Sequence, residues 1–401
     1  GGAGKDGIAV GAGTHVILGD TGEARFTPGT RTIGGVSVAV PVLVSIKTAD
    51  DEAAIGGDDS IETGNCAVTV IGCAGADRIT LGKGRQVVLG DSGAATFVDG
   101  RIATITPPAT AIGGNDTITS VEGDTTIIGG AGADTIEVGA GNHVILGDSG
   151  RALFDAGLLA SIESIDPGIG GDDSIGAKDG NATVIGGAGA DRITLGKGTQ
   201  VVLGDSGSAT FVDGAIATII SVATETGGND TITATGGDTT ILGGTGSDTI
   251  KVGAGNHVIL GDSGRAVFRN GRAQRIESIT PEVGGDDIIE AEDGESRIIG
   301  GAGADRITTG AGNHVILGDS GEADFTVTVA GSVTTSVLAR IATIATAIGG
   351  ADTIRFGAGS NVVLGGAGGD TISGADRGAV ILGDNGIVTF DAAGRIQRAL
   401  S

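Results

Sequence analysis

The chain has no Trp, Tyr or Met, and only 8 Phe, 6 Pro and 2 Cys in 401 residues. Without bulky aromatics a wide globular core cannot be filled, so any core is thin and lined by Ile, Val and Leu. Gly is abundant, at 81 residues, but no Gly-X-Y period accompanies it, which excludes collagen. Lys and Arg total 24 against 49 Asp and Glu. No basic patch offsets phosphate repulsion, which argues against nucleic-acid binding. A hydrophobic content of 39%, with Ile at regular intervals, is too high for a solvated acidic tail. An acid excess in a folded chain points instead to bound cations.

Long apolar runs are also missing. The longest, Val36 to Ile46, is interrupted by Pro41 and falls well short of the roughly 20 residues of a spanning helix. No membrane span and no signal peptide are visible. The sequence starts and stops inside a repeat, so it reads as a window of a longer protein. Cys66 and Cys73 flank a segment that the repeat makes a strand. Its ends then lie roughly 20 Å apart, too far for a disulfide, so both are expected to be free.

What is present is a repeat. Gly-Asp-x-Gly places Asp at 20, 91, 148, 205, 262, 319 and 384, a period of 57 residues with longer first and last intervals. One cycle reads GGNDTITSVEGDTTII (113–128), GGAGADTIEVGAGNHVIL (129–146) and GDSGRALFDAGLLASIESIDPGI (147–169), which are 16, 18 and 23 residues long. The cycles are 1–55, 56–112, 113–169, 170–226, 227–283, 284–348 and 349–401, with insertions within 19–55 and 318–348. Short β-prone runs such as TIE, HVIL and TTII alternate with Gly-rich turns, a strand–turn–strand–turn pattern. A single coil cannot bury its Ile face, whereas stacked coils can. The expected fold is all-β: one continuous right-handed parallel β-solenoid over residues 1–401. Counting each segment as one coil predicts 20 coils and a rod of roughly 95 Å.

The 23-residue segment carries a Phe column: Phe26, Phe97, Phe154, Phe211, Phe268, Phe325 and Phe390. At three coils per cycle these rings stand about 14 Å apart, which suits a plug in a widened core better than a ligand platform. The aliphatic positions Leu89, Ile128, Leu146, Ile185 and Leu203 leave two readings open. They form an outward stripe fit for self-assembly or contact with other surface proteins, or they are buried under the longer segment.

The 18-residue segments open with Gly-Gly-x-Gly-x-Asp in GGAGKD (1–6), GGAGAD (129–134, 186–191, 300–305), GGTGSD (243–248) and GGAGGD (365–370), with GCAGAD at 72–77. With the following x-Ile, this resembles the nonapeptide of the RTX (repeats-in-toxin) family of calcium-binding parallel β-rolls. The resemblance covers nearly the whole chain and implies multiple Ca²⁺ ions. It puts the carboxylate position on Asp6, Asp77, Asp134, Asp191, Asp248, Asp305 and Asp370. Glycines free backbone carbonyls to point at one centre, and oxygen-only ligation suits Ca²⁺. The 16-residue segments keep Asp59, Asp116, Asp173, Asp230, Asp287 and Asp352, and the third segments supply Asp20, Asp91, Asp148, Asp205, Asp262, Asp319 and Asp384. The second turn departs from the family pattern, with His15, His143, His257, His314, Gln86 or Gln200 where Asp is expected. The ions are therefore expected along one edge only.

GDSG resembles the nucleophile segment of chymotrypsin-like proteases, but two copies read GDTG and GDNG. A triad needs one asymmetric constellation, not seven copies, so no enzyme is expected. The resemblance implies a secreted, extracellular or cell-surface bacterial protein exported by type I secretion: a segment of an adhesin, surface layer or filament. The alternatives are the secretion and folding module of an enzyme, or an ice-binding roll. The last wants a regular outward Thr/Asn array on the loops, and these offer Thr only at Thr245.

Overall fold

The computed structural model describes all residues except 34, 50–55, 108–111, 223, 225, 332, 376 and 377, so the first cycle boundary, at residue 55, lies outside the described residues. Every regular element among the described residues is a strand. The 18-residue segment gives two short strands across a Gly turn, Thr135–Ala140 and His143–Asp148. The 16-residue segment does the same at Ser174–Ala177 and Ala182–Gly187. First strands stack into one 13-stranded parallel sheet and second strands into another. Ile118 pairs in register with Ile79 on one side and Ile136 on the other. The Ile columns of the two sheets, such as Ile118, Ile136 and Ile193 against Ile127, Ile145 and Ile241, are fully buried against each other. This is the thin aliphatic core that an aromatic-poor chain can fill.

The 23-residue segment is not a coil. After His143–Asp148 the chain forms an antiparallel hairpin, Gly150–Asp155 with Leu158–Ser164, before it returns to the first sheet. The cause is local. Asp99-Gly100, Ala156-Gly157, Asp213-Gly214 and Asn270-Gly271 all have positive φ at both positions, which is the two-residue type I′ turn that matches the twist of paired strands. The hairpins join in a 14-stranded antiparallel sheet over the outer face of the second parallel sheet. The insertions extend two of them, Gly22–Ile33 with Val36–Thr48 and Gly321–Ala330 with Val333–Thr343.

This corrects the coil count. One cycle contributes two coils, with successive equivalent Asp residues alternately 18 and 39 positions apart. With 13 strands in each parallel sheet and about 4.8 Å per strand, the rod is about 60 Å long rather than 95 Å. The hairpins also decide the aliphatic stripe. Leu89, Ile128, Leu146, Ile185 and Leu203 lie in a second core beneath Ala152, Ile162, Ala209 and Ile219. Each Phe sits at a register shift in its hairpin, as at Leu153/Phe154 and Thr210/Phe211. Successive rings are two strand spacings apart, about 9.6 Å rather than 14 Å. Phe325 is buried, while Phe97, Phe154, Phe211 and Phe268 are partly exposed over this second core.

Cys66 and Cys73 are both free and buried. Cys73 occupies a glycine position at φ 88, where L side chains are strained. In other cycles a Cβ at this position would lie 2.2 Å from Asp91 Oδ2 (at Gly130) or from Asp205 Oδ2 (at Gly244). Cys73 supplies that Cβ, and both carboxylate oxygens of its neighbour Asp20 lack a hydrogen-bond partner. Cys73→Gly is expected to stabilise the folded chain by about 1 kcal/mol, measured as a rise in Tm; an unchanged or lower Tm contradicts the strain. Small-angle scattering of the folded chain is expected to give a body near 60 Å in its long dimension.

Candidate metal-binding edge

At the turn that opens each first-sheet strand, the chain enters the sheet through an aspartate. The Asp116 carbonyl accepts from Thr135 N at 2.8 Å, as the sheet requires. Its own N–H, which has just left the turn, donates to Asp134 Oδ1 at 2.7 Å. Asp134 N then donates to Asp173 Oδ1 at 2.7 Å, and Asp173 N to Asp191 Oδ1 at 2.8 Å. The pattern runs without a gap from Asp6 through Asp59, Asp77 and onward to Asp248, Asp287, Asp305, Asp352 and Asp370. Each carboxylate thus uses one oxygen to continue the backbone ladder past the end of the strand. These are short, charge-assisted bonds.

The other oxygen has no partner. Oδ2 of every ladder aspartate from Asp59 to Asp370 is buried without a hydrogen bond. A Cβ built on Gly129 would lie 2.2 Å from Asp134 Oδ2 and 2.2 Å from the Gly147 carbonyl oxygen. Gly186 has the same relation to Asp191 Oδ2 and Gly204 O, at 2.2 and 2.3 Å. The first glycine of each motif therefore keeps open a cradle onto which a carboxylate oxygen and a carbonyl oxygen both face. Any larger residue would fill it. Among the described residues no Lys, Arg or His forms an ion pair with a ladder aspartate.

Burial, reinforced by neighbouring carboxylates, pushes Asp116 and Asp248 up to about 10 and Asp173, Asp191 and Asp230 to about 9. Asp287 and Asp352 rise to about 8, Asp77 and Asp134 to about 7, and Asp305 well above the carboxylate range, burial being the main cause in each. A negative charge is thus unfavourable at each of these buried positions unless something positive accompanies it. Among the described residues no point gathers three or more His, Cys, Asp or Glu side chains. The donor set is instead one or two carboxylate oxygens with backbone carbonyls, all oxygen, which suits a hard cation of the Ca²⁺ type.

The structure divides the twenty aspartates picked from the sequence into two sets. Thirteen form the ladder. Those of Gly-Asp-x-Gly stand where the second-sheet strand ends and the hairpin begins, and most use both oxygens on backbone amides. Asp148 accepts from Gly171 N at 3.2 Å and Ala188 N at 2.5 Å. Asp205 accepts from Gly228 N at 3.0 Å, Thr245 N at 2.5 Å and Thr245 Oγ1 at 2.6 Å. Asp91, Asp262 and Asp319 repeat the clamp. They tie the hairpin exit to the next coil. The sequence reading passed over a further exposed carboxylate in each GGDD: Asp172 accepts from Ala190 N at 2.8 Å and Asp286 from Ala304 N at 2.7 Å. The doubled Asp was the available signal.

The opposite edge is built on donors. His143 Nε2 and His314 Nε2 each lie 3.0 Å from the carbonyl oxygen four residues back, Gly139 and Gly310. Gln200 Nε2 bonds Gly196 O at 3.1 Å and Asn361 Nδ2 bonds Gly357 O at 3.1 Å in the same way. The His143 Nδ1 accepts from Thr125 Oγ1 at 2.9 Å, which fixes the Nε2–H tautomer. Burial holds His143, His257 and His314 below the usual imidazole value, so they are neutral at pH 7. A side-chain N–H here satisfies a turn carbonyl that would otherwise face a cation.

Two parallel sheets of short strands, joined by glycine turns and edged by an oxygen-lined ladder, define a calcium-type parallel β-roll. The family model for the RTX calcium-binding nonapeptide repeat (4 copies) matches residues 54–88, 111–142, 119–151, 168–210, 226–256, 233–266, 283–316 and 346–376, more than half of the chain. The chain belongs to this family. A search of curated proteins finds no match.

The raised aspartates fix the sign of the pH response. Unfolded, these groups titrate near 4; folded and without metal, they titrate between about 7 and 10. The folded state holds extra protons in between. Their contribution to stability is therefore complete below about pH 4 and is lost as pH rises through 7 to 10. In chelator, Tm is expected to fall as pH rises from 5 until the fold is lost near neutral pH, and calcium is expected to release protons and reverse the trend. A Tm that rises with pH in chelator contradicts this. At the other edge, His143→Leu leaves the Gly139 carbonyl unpaired and is expected to cost about 1–3 kcal/mol in thermal unfolding, while His143→Gln retains the donor and costs less.

Proposed function

We propose that this chain is a calcium-stiffened structural segment of a secreted or cell-surface protein, a single continuous roll over residues 1–401 serving as an adhesin stalk, surface layer or filament. The observation that carries this reading is the unbroken row of buried, unpartnered Oδ2 atoms. Ladder aspartates Asp6, Asp59, Asp77, Asp116, Asp134, Asp173, Asp191, Asp230, Asp248, Asp287, Asp305, Asp352 and Asp370, with glycine carbonyls beside them, would hold the ions. Bound there, calcium supplies the positive charge that the edge lacks. The chain's own residues do the rest. Oδ1 of each aspartate keeps the coils in register, the Gly-Asp-x-Gly aspartates pin the hairpins, and the glycines keep the cradle open. Millimolar extracellular calcium suits sites of this charge, and cytosolic calcium does not.

A structural role is favoured over an enzymatic one by the placement of the GDSG serines. Ser92, Ser149, Ser206, Ser263 and Ser320 are buried, and the aspartate beside each serves the backbone. The histidines stand on the opposite edge, where His15, His143 and His314 are bonded to turn carbonyls.

The test is calcium titration followed by far-UV circular dichroism and calorimetry. The chain is expected to be largely unstructured in chelator at pH 7.5 and β-rich at roughly 0.1–1 mM calcium. Asp134→Ala with Asp191→Ala is expected to lower both stoichiometry and Tm, while His143→Ala with His257→Ala leaves stoichiometry unchanged. A fully folded roll in excess chelator at that pH contradicts the proposal.

A further inference from the structure

Between the distal halves of the hairpins and the outer face of the second parallel sheet runs a groove. Two stretches of about 380 Å³ each share Asn181, Thr183, Phe211 and Gly214, so they form one continuous channel. It crosses eight consecutive strands from Val87 to Arg297, about 34 Å at 4.8 Å per strand. Its floor alternates strictly: Thr126 pairs with Val144, Val144 with Thr183, Thr183 with Val201, Val201 with Thr240 and Thr240 with Val258. The three threonines are 7, 9 and 7% exposed, and among the described residues their hydroxyls have no hydrogen-bond partner. One wall is the Phe column, with Phe154, Phe211 and Phe268 about 9.6 Å apart.

The groove therefore presents, on every second strand, an unpartnered hydroxyl on its floor and an aromatic ring on its wall. It alternates these with an apolar step. Such a surface fits a stiff linear polymer that has both polar edges and apolar faces and repeats every two units. An extended glycan with alternately turned pyranose rings has that character, advancing about one ring per strand spacing and two per cycle. A peptide strand would seek a free strand edge, and the floor strands are already paired with neighbours on both sides. Charge narrows the class. The chain carries −25 overall, yet the groove gathers Arg85 and Arg101 at one end and Arg272 and Arg297 at the other, against Asp124 and Asp238. The Arg297 Nε is buried without a hydrogen bond, while its Nη2 lies 3.7 Å from a Glu295 carboxylate oxygen and its guanidinium stands 5.0 Å over the Phe325 ring.

We infer that this groove binds an extended linear polysaccharide carrying acidic sugars, laid along the rod with one disaccharide per 57-residue cycle. The probe is a hyaluronan decasaccharide, an alternating uronate and N-acetylhexosamine, titrated into the calcium-saturated full chain by calorimetry. Saturable binding is expected, weakened about tenfold by Thr183→Val with Thr240→Val. That pair of changes only extends the valines already alternating along the floor. Arg85→Gln with Arg272→Gln is expected to weaken binding and flatten its salt dependence, and Phe211→Leu to weaken it at unchanged Tm. The inference is overturned if the decasaccharide does not bind, or if the threonine pair binds it as the parent chain does. It is equally overturned if a neutral cello-oligosaccharide or a poly-glutamate of similar length binds as tightly.

Discussion

Everything in this molecule depends on a column of carboxylates stacked at the spacing of β-strands. Two unit charges about 4.8 Å apart repel by roughly 3–4 kcal/mol at an effective dielectric near 20, and the ladder repeats that contact along its whole length. Each aspartate accepts, through one oxygen, a hydrogen bond from the amide of the coil next door, so it cannot be replaced without losing the end of the sheet. The remaining oxygen is then buried with no donor in reach. Protonation or a cation are the two ways to relieve this. The first would operate in acid and the second at neutral pH, so in the proposed function the same residues couple folding to pH and to calcium.

The two edges of the roll solve one problem differently. Glycine turns point carbonyl oxygens into a narrow space, and something electropositive must meet them. Along the aspartate edge no side-chain donor pairs with the remaining carboxylate oxygens among the described residues, and in the proposed function an ion would meet them. Along the other edge, His143, Gln200, His314 and Asn361 bring an N–H to the carbonyl four residues back. The column alternates large and small, with Thr125, Ala182 and Thr239 pairing with His143, Gln200 and His257, because a ring needs room above and below it. The hairpin layer answers a separate shortage. A chain without Trp or Tyr cannot thicken its core, so it adds a third sheet and a second thin core instead.

Much of this was legible in the residues. The Ile spacing gave the stacked parallel sheets, GGxGxD gave the aspartate column, and the His/Gln substitutions gave the asymmetry between edges. The hairpins were written in the sequence too, as Asp-Gly, Ala-Gly and Asn-Gly tips between alternating runs, but the 57-residue period favoured three coils of 16, 18 and 23 residues. A repeat reveals what recurs and not whether the recurring piece stacks or folds back. That single misreading displaced the rod length and the Phe spacing, while of the two readings open for Leu146 and Ile185 the buried one holds. The different use of Asp134 and Asp148 could not be read from sequence, since both follow glycine and only the fold decides which amides approach them.

If the aspartates hold the ions, positive charge resides along the aspartate edge alone. Anomalous scattering from crystals grown with calcium, or with terbium in its place, tests this directly. A row of peaks is expected beside Asp77, Asp134, Asp191 and their neighbours, and none beside His143, Gln200 or His314. Peaks of equal height on both edges, or an empty aspartate edge in a folded roll at neutral pH, would contradict it.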